Sequence, residues 1–293
     1  MELLTTSEAA SYLRLKERKI YELAADGAIP CTKVTGKWLF PRPALDRWLL
    51  AGLPAIPSFI AAEPAPIMAG SHDPLLEWAL RESRAGLALL AEGSEAGLRR
   101  FQKGEAIAAA IHLHDIEEPG RDANVASAAA QRAYPDAILV AFARREQGLL
   151  TAPGNPARIV DFRDAAARRL RFAHRPKGAG AELLARALAR SAGVDDPAAL
   201  AGPTCPTGAD LAAAILNGRA DFGVASRSVA TPAGLHFVAL EWERFDIILR
   251  SRDFSRPTFQ TLLDLMRSAR FRDRANEMTG YDVSEAGKIR FAP

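Results

Sequence analysis

Residues 3–49 carry the strongest structural signal in the chain and read LLTTSEAASYLRLKERKIYELAADGAIPCTKVTGKWLFPRPALDRWL. Helically spaced apolar residues, turn residues and short β-branched or aromatic runs alternate here, and each pattern favours one type of element. They predict a helix within residues 4–13, a turn over 14–16, a helix over 17–25, strands over 29–34 and 37–40, and a helix over 43–49. This order of elements predicts a winged helix-turn-helix.

The ends and faces of the first two helices agree with this prediction. Thr6 or Ser7 can cap the first helix, and Ala9 and Leu13 lie on one of its faces. Gly27 follows the second helix at a position that favours a positive φ.

The same stretch predicts a DNA-binding surface. A recognition helix enters the major groove by its N-terminal residues, and cations cluster at the start of the second helix. The wing turn at Thr35-Gly36 adds a cation and an aromatic ring within reach of a phosphate or the minor groove. A solvated basic helix is the alternative, because residues 1–55 hold 8 Lys and Arg against 6 Asp and Glu, a balance of only +2 (8 − 6). The order of elements, not the charge, favours DNA. The candidate DNA contacts are Lys16, Arg18, Lys19, Tyr21, Lys37 and Trp38.

Four short motifs in this stretch follow one another in order: T-x-x-E-A-A-x-Y-L, I-Y-x-L-x-x-x-G-x-I-P, G-x-x-x-F and L-x-x-W-L. With them, residues 3–50 resemble the excisionase-like winged helix domains. The resemblance implies DNA binding and gives no target sequence.

Composition limits the class of protein. The 293-residue chain has 48% hydrophobic and 25% charged residues and a net charge of +3, which is typical of a soluble globular protein. The N-terminus, MELLTTSEAA, has no signal-peptide pattern and no run of eighteen apolar residues occurs, so we expect a cytoplasmic protein without a membrane span. Cys31 and Cys205 fall in different predicted domains and outside any CxxC, which predicts free thiols and no zinc site.

A proline-rich segment divides the chain. Residues 51–66 read AGLPAIPSFIAAEPAP and contain a single charged residue, which is typical of a linker. We therefore predict a winged helix-turn-helix domain over 1–52, a linker over 53–66 and a ligand-sensing domain over 67–293. In the last of these, short apolar strands alternate with helices, which predicts an α/β domain with a mostly parallel sheet.

Several loops of this domain share one design. Each follows a predicted strand and opens a helix, where free N–H groups and the helix dipole favour an anion. In open α/β sheets such loops lie together at the C-terminal ends of the strands. For any one loop, glycine and serine as plain helix caps are the alternative. The loops are Gly70-Ser71-His72, Gly93-Ser94 and Lys177-Gly178-Ala179-Gly180, and Thr207-Gly208 can make a fourth.

A further set of motifs runs in order through residues 66–293: GSHDPLL at 70–76, EGSEAGL at 92–98, AAIHLHD at 109–115, REQGLLTAPGNP at 145–156, RPKGAGAELL at 175–184, NGRADFGVAS at 217–226 and TGYD at 279–282. Together they resemble the periplasmic-binding-protein-like domains related to molybdate- and tungstate-binding proteins, which occur fused to DNA-binding domains in bacterial regulators. The resemblance implies two α/β lobes that close on a ligand, with crossing strands near 141–149 and 241–249. It also implies a molybdate- or tungstate-type oxyanion as the first choice of effector.

One difference from that family bears on the ligand. The third loop often has hydroxyl residues, in a pattern such as G-S-G-T-R, whereas Ala179 and Ala181 occupy those places here. His72 and Arg175 lie beside the loops and favour a small carboxylate or sulfonate as the alternative effector. Arg144 and Arg145 are further cations near the crossing, and we expect at least one of the pair to be a solvated surface charge.

The predicted ligand contacts leave two local questions open. Tyr281 can reach the ligand or simply fill its lobe. His112 and His114 face the same side of an extended segment, but without a third ligand at a recognised spacing we favour a strand end that lines the cleft over a metal site. The predicted ligand contacts are Ser71, His72, Ser94, Lys177, Gly178, Ala179, Gly180, Thr207 and Tyr281.

The sequence contains no G-x-S-x-G, P-loop or H-E-x-x-H motif. We therefore predict a transcription regulator rather than an enzyme, with no cofactor. A small anion would close the lobes of a homodimer or higher homo-oligomer and change its affinity for a double-stranded DNA operator. The rival hypotheses are an intracellular oxyanion-binding protein whose winged domain binds protein, and an enzyme that acts on a small anion.

Overall fold

The computed structural model describes residues 2–34, 36–51, 64–115, 121–131, 135–194 and 196–293. The chain forms two compact units, Met1–Ala62 and Glu63–Pro293. Most of the predicted linker over 53–66, and Thr35 at the wing turn, lie outside the described residues.

The first unit packs helices against a small antiparallel sheet. Its elements in chain order are β1 (Leu3–Leu4), α1 (Thr6–Leu13), α2 (Glu17–Ala25), β2 (Thr32–Val34), β3 (Lys37–Pro41) and α3 (Arg42–Ala51). β3 lies between β1 and β2, so the wing carries a third strand. The winged helix-turn-helix is confirmed; the two-residue β1 was too short to produce an alternating pattern. Ile20, Phe40 and Leu45 are fully buried between the helices and the sheet.

The start of α1 differs from the prediction. The helix is capped by Thr5, not by Thr6 or Ser7, because it begins one residue earlier. The Thr5 hydroxyl accepts a hydrogen bond from the N–H of Glu8 (3.4 Å), and the Glu8 carboxylate accepts one from the N–H of Thr5 (2.7 Å). This reciprocal pair is a capping box. Gly27 follows α2 with φ 65°, as predicted.

The second unit contains one nine-stranded sheet that runs through two lobes. Its first elements are β4 (Ile67–Gly70), α4 (Pro74–Ser83), β5 (Ala88–Ala91), α5 (Ser94–Lys103), β6 (Ala108–Ile111), α6 (Ala123–Ala129) and β7 (Ala137–Thr151). They are followed by α7 (Phe162–Ala167), β8 (Phe172–Ala173), α8 (Gly180–Ser191), a 3₁₀ turn (Pro197–Ala199), α9 (Gly208–Leu216), β9 (Phe222–Ser226), α10 (Arg227–Ala230) and β10 (His236–Arg250). The C-terminal elements are α11 (Ser251–Phe254), α12 (Pro257–Arg267), α13 (Ala269–Met278), β11 (Tyr281–Asp282) and β12 (Ile289–Phe291).

Two 15-residue strands, β7 and β10, connect the lobes. They pair antiparallel along their whole length, with register shifts between 239 and 241 and between 245 and 246. The predicted crossings at 141–149 and 241–249 lie within them. The apolar runs over 137–142 and 147–152, and over 235–240 and 245–249, predict two short strands in each place, because charged residues interrupt them. In the structure these charged residues remain paired between β7 and β10. Two of them, Arg145 and Glu243, are buried.

The sheet is mixed rather than mostly parallel. β4 pairs parallel with β5 and β6, and β8 pairs parallel with β9. The central strands β7 and β10 run antiparallel to their neighbours. One lobe contains β4, β5, β6 and the C-terminal helices around Phe142, Phe245 and Phe271. The other contains β8, β9, α8 and α9 around Phe172 and Phe222.

Within the described part of the chain, no helix is both long enough and apolar enough to span a bilayer. Cys31 is partly buried and Cys205 is buried, and both are free thiols, as predicted.

Candidate ligand cleft and DNA-binding surface

A cleft of about 580 Å³ opens between the two lobes. One wall comes from the loops after β4 and β5, and the opposite wall comes from the starts of α8, α9 and α10. Arg145 and Gln147 of the crossing strand β7 reach it between the two walls. The cleft therefore lies where the C-terminal ends of parallel strands meet the crossing strands.

Five of the predicted ligand contacts line this cleft, and each predicted loop contributes at least one residue. The five are Ser71, His72, Ala179, Gly180 and Thr207. α8 begins without a side-chain cap, so its first N–H groups are left for another acceptor. In α9 the Thr207 hydroxyl accepts the N–H of Asp210 at 3.1 Å, which leaves the earlier N–H groups uncapped.

Ser94 lies behind Ser71 rather than on the cleft surface. The two hydroxyl oxygens are 2.8 Å apart, and Ser94 Oγ accepts the N–H of His112 at 3.0 Å. Ser94 is fully buried. Its hydroxyl therefore joins the loop to the end of β6.

Lys177, Gly178 and Tyr281 also lie away from the cleft lining. Lys177 is exposed beside a separate groove. The carbonyl of Gly178 accepts the N–H of Glu95 at 3.3 Å, so the third loop contacts the opposite lobe. Tyr281 is buried, and its hydroxyl lies 2.9 Å from Asp73 Oδ2, to which it donates. Burial and the Asp73 charge raise the pKa of Tyr281 well above its usual value, so the phenol keeps its proton.

Arg145 stands at the centre of a buried polar cluster that sequence reasoning missed. Its guanidinium donates to Asp73 Oδ2 at 2.9 Å, and through Nε to Glu243 Oε1 at 2.9 Å. It also stacks over the Phe245 ring at 4.1 Å. The side chains of Arg145, Asp73 and Glu243 are 3%, 0% and 2% exposed. The adjacent Arg144 is 44% exposed, which is the solvated member that the sequence led us to expect.

The protonation states in this cluster follow from burial and charge. Burial lowers the pKa of His112 to about 4, so its ring is neutral at pH 7. Burial alone would raise the pKa of Glu243, but Arg145 and the neighbouring imidazoles hold it well below its usual range. Glu243 is therefore ionised.

Two polar groups on the cleft surface have unused hydrogen-bonding capacity. Arg175 donates from Nη2 to the carbonyl of Pro206 at 3.0 Å, while its buried Nε has no partner. No described carboxylate lies within ion-pair distance of Arg175, and burial lowers its pKa, although the more distant Cys205 and Asp210 act in the opposite direction. Gln147 donates to Glu243 at 2.7 Å, which leaves its buried Oε1 without a donor.

Much of the wall on the second lobe is apolar. α9, the end of β9, α10 and the segment after α10 supply apolar side chains to it. They include Ala209, Ala212, Ala213, Leu216, Val229 and Pro232. Pockets that bury small organic ligands typically combine such a surface with a few placed polar groups.

The first unit exposes the predicted DNA contacts on α2 and on the wing. Lys16 stands at the N-terminal end of α2, and Tyr21 is 50% exposed on its surface. Arg18 and Lys19 are exposed and both contact Glu22, at 3.4 and 3.2 Å.

The wing residues divide between surface and core. Lys37 is exposed, whereas Trp38 is partly buried against the core. Lys33 Nζ lies over the Trp38 ring, 5.2 Å from its centroid.

Comparison with known proteins identifies both units. Residues 3–52 match a helix-turn-helix domain family, and residues 77–267 match the PBP superfamily domain. An uncharacterised protein from the ferredoxin 2Fe-2S gene 5′ region of Clostridium pasteurianum is 30% identical over 80 residues, which cover 27% of this chain and 71% of that protein.

Two solved structures share the fold of the second unit. One is described as a phosphate ABC transporter substrate-binding protein with bound phosphate, from Clostridium perfringens (TM-score 0.54, 12% identity, 76% of this chain and 99% of that one). The other is the tungstate ABC transporter from Geobacter sulfurreducens (TM-score 0.51, 15% identity, 72% and 97%). At these identities the likeness concerns the fold alone.

The fold and the cleft define a two-lobed binding protein joined to a winged helix-turn-helix. The chain belongs to the PBP superfamily, whose domain covers most of its length. Both matched families are binding families rather than enzyme families.

Proposed function

We propose that this chain is a DNA-binding transcription regulator whose second unit senses a small organic anion. The main evidence that the ligand is an anion is Arg175. This largely buried cation lies on the cleft surface without a described carboxylate partner. A buried charge of this kind is costly unless an opposite charge joins it. An anionic ligand supplies that charge.

The cleft surface favours an organic anion over a bare tetrahedral oxyanion. Its volume of about 580 Å³ falls within the range of about 300–1,000 Å³ typical of pockets for small organic ligands. An apolar body would contact the alanine-rich wall of α9. A hydroxyl or amino group of the ligand would donate to the unpaired Oε1 of Gln147. The anionic group would bind Arg175 and the free N–H groups at the starts of α8 and α9.

A molybdate- or tungstate-type oxyanion, the first choice from the sequence, has weaker support in the geometry. The hydroxyl of Ser94 is engaged inside the lobe, and Ala179 and Ala181 provide no hydroxyl at the third loop. Backbone N–H groups and Ser71 would remain as its donors.

The first unit would place α2 in the major groove and the wing against the backbone. In a homodimer, two such units would read half-sites about 34–36 Å apart or a multiple of that distance. Closure of the lobes on the ligand would change the spacing of the two DNA-binding units. A coupling free energy of about 1–3 kcal/mol between ligand binding and DNA binding is enough for regulation.

A thermal-shift screen of the full chain tests the ligand. The panel contains molybdate, tungstate, sulfate and phosphate on one side, and small hydroxylated carboxylates and sulfonates on the other. A ligand at one hundred times its Kd stabilises the folded state by about 2.7 kcal/mol. We expect a shift with organic anions that Arg175→Gln abolishes and that Arg168→Gln, an exposed cation of the same lobe, leaves unchanged. A shift with molybdate or tungstate alone would refute the organic-anion proposal and favour the oxyanion.

Selection of bound sequences from a random duplex library tests the DNA-binding role. We expect an enriched motif whose affinity falls with salt and changes when the identified anion is added. Lys16→Ala should weaken binding to all duplexes, and Lys103→Ala, an exposed lysine of the second unit, should not. Failure to bind any duplex at low salt would favour an intracellular anion-binding protein.

A further inference from the structure

His112, His114 and Glu243 form a compact buried cluster beside the cleft. His112 Nδ1 and His114 Nε2 each lie 3.0 Å from the same carboxylate oxygen, Glu243 Oε2. The three ligand atoms all lie within 4.8 Å of one another. The side chains are 7%, 12% and 2% exposed. No third metal ligand was recognisable from the spacing in the sequence. In the structure it is Glu243 of β10, 131 residues after His112.

The spacing fits a tetrahedral metal ion. Metal–ligand bonds of about 2.0–2.1 Å to imidazole and carboxylate imply ligand–ligand distances of about 3.3 Å around a tetrahedron. The two nitrogen–oxygen distances of 3.0 Å are close to that value. The two imidazole planes are nearly perpendicular, at 89°, with centroids 6.3 Å apart, so the rings approach the carboxylate from different sides.

The two oxygens of Glu243 have different partners. Its Oε1 accepts from Arg145 Nε, Arg145 Nη2 and Gln147 Nε2. Its Oε2 contacts the two imidazoles. A cation bound to Oε2 would replace these two hydrogen bonds, with both ring nitrogens acting as electron-pair donors.

The surroundings resemble those of metal ligands. His114 Nδ1, the nitrogen that faces away from Glu243, lies 3.4 Å from Glu241 Oε1. A metal-binding histidine commonly donates its other N–H to such a carboxylate, which fixes the ring. Arg145 and Gln147 hold the other oxygen of Glu243 and thereby fix its orientation.

His112 also lines the cleft. An ion held by these side chains would therefore place positive charge beside the cleft. The imidazoles are uncharged when they act as ligands.

We propose that His112, His114 and Glu243 bind a divalent transition-metal ion of the zinc type at the base of the cleft. Two imidazoles and one carboxylate are the ligand set that Zn²⁺ accepts with one position left for water or another ligand. The site is independent of the DNA-binding proposal, because it depends only on residues of the second unit.

The test uses tag-free full chain that has been stripped with a chelator and titrated with Zn²⁺ by calorimetry, without any effector. Co²⁺ serves as a second probe, because its visible absorption reports tetrahedral coordination. We expect one saturable ion per chain. His114→Ala should weaken binding at least about tenfold, and Glu241→Gln, which leaves all three ligands in place, should weaken it by about tenfold.

His236→Ala, an exposed histidine at the far end of β10, is the matched control and should bind like the wild type. Cys31→Ser excludes thiol coordination in the first unit. Circular dichroism of the metal-free variants separates lost ligation from lost folding, and Glu241→Gln keeps the test decisive if His114→Ala misfolds. Absence of saturable binding in the wild type, or equal affinity in Glu241→Gln and His236→Ala, would overturn the proposal.

Discussion

Gly180 packs directly against His112 across the cleft. A Cβ added at Gly180, the first residue of α8, would lie 2.1 Å from Cε1 and 2.3 Å from the carbonyl oxygen of His112. These residues belong to opposite lobes, so the absence of a side chain at position 180 permits the lobes to meet. Because a backbone carbonyl cannot move aside as a flexible side chain can, we expect this contact to limit how closely the lobes approach each other.

Gly180→Ala should therefore weaken ligand binding while both lobes remain folded. The added methyl group would hold the lobes apart by pressing on His112, and we expect a loss of tenfold or more in affinity by calorimetry, on the order of the 1.4 kcal/mol that separates tenfold steps. Gly223→Ala is the control, since the atoms nearest to its Cβ belong to the Leu211 side chain of the same lobe, away from the cleft lining. Equal affinities for both variants would show that the contact does not limit closure.

Arg145 and Arg144 are adjacent in sequence and should differ widely in their contribution to stability. Arg145→Met leaves Asp73 and Glu243 buried without the guanidinium they share, which typically costs about 3–5 kcal/mol. Arg144→Met removes an exposed cation and should cost less than about 1 kcal/mol. Denaturant unfolding of the two variants checks this difference. Similar midpoints would mean that the buried network contributes little.

The sequence predicted the elements whose signals are local. The cap region near Thr5, the turn glycine Gly27 and the loop glycines before α5 and α8 act within a few residues, so their patterns can be recognised along the chain. Crossing strands were placed correctly by resemblance, although their charged middles made each appear as two short strands.

The buried polar cluster could not be predicted in the same way. Arg145 meets Asp73 from 72 residues away and Glu243 from 98 residues away. Neither spacing leaves a periodic pattern, and a lone arginine in a strand looks like a surface charge. For the same reason, the pair His112 and His114 was visible from the sequence while its partner Glu243 was not.

Asp246 gives the fold a pH dependence that can be isolated. Burial raises the pKa of this carboxyl to about 6, although Arg290 and Asn124 lower it in part. Because the folded pKa exceeds the unfolded value of 3.8, the contribution to stability is fully present below pH 3.8 and is lost as pH rises through 6. At about 1.4 kcal/mol per unit, the change amounts to about 3 kcal/mol.

The measurement compares unfolding free energies of the wild type and Asp246→Asn from pH 4 to pH 7. The wild type should gain stability relative to the variant as pH falls, since asparagine does not titrate. Asp282→Asn, a more exposed carboxyl, is the control. Parallel profiles for wild type and Asp246→Asn would contradict the prediction.

Glu22 should weaken DNA binding in the wild type. It lies on α2 in contact with Arg18 and Lys19, where it offsets the charge of two candidate phosphate contacts. Glu22→Gln should tighten binding to any duplex several-fold and steepen the dependence on salt, because both cations become available to phosphates. Fluorescence anisotropy at several salt concentrations measures both effects. Glu277→Gln, which breaks an exposed ion pair with Arg274 in the second unit, should change neither. If Glu22→Gln leaves the salt dependence unchanged, the N-terminal turn of α2 does not contact the DNA backbone.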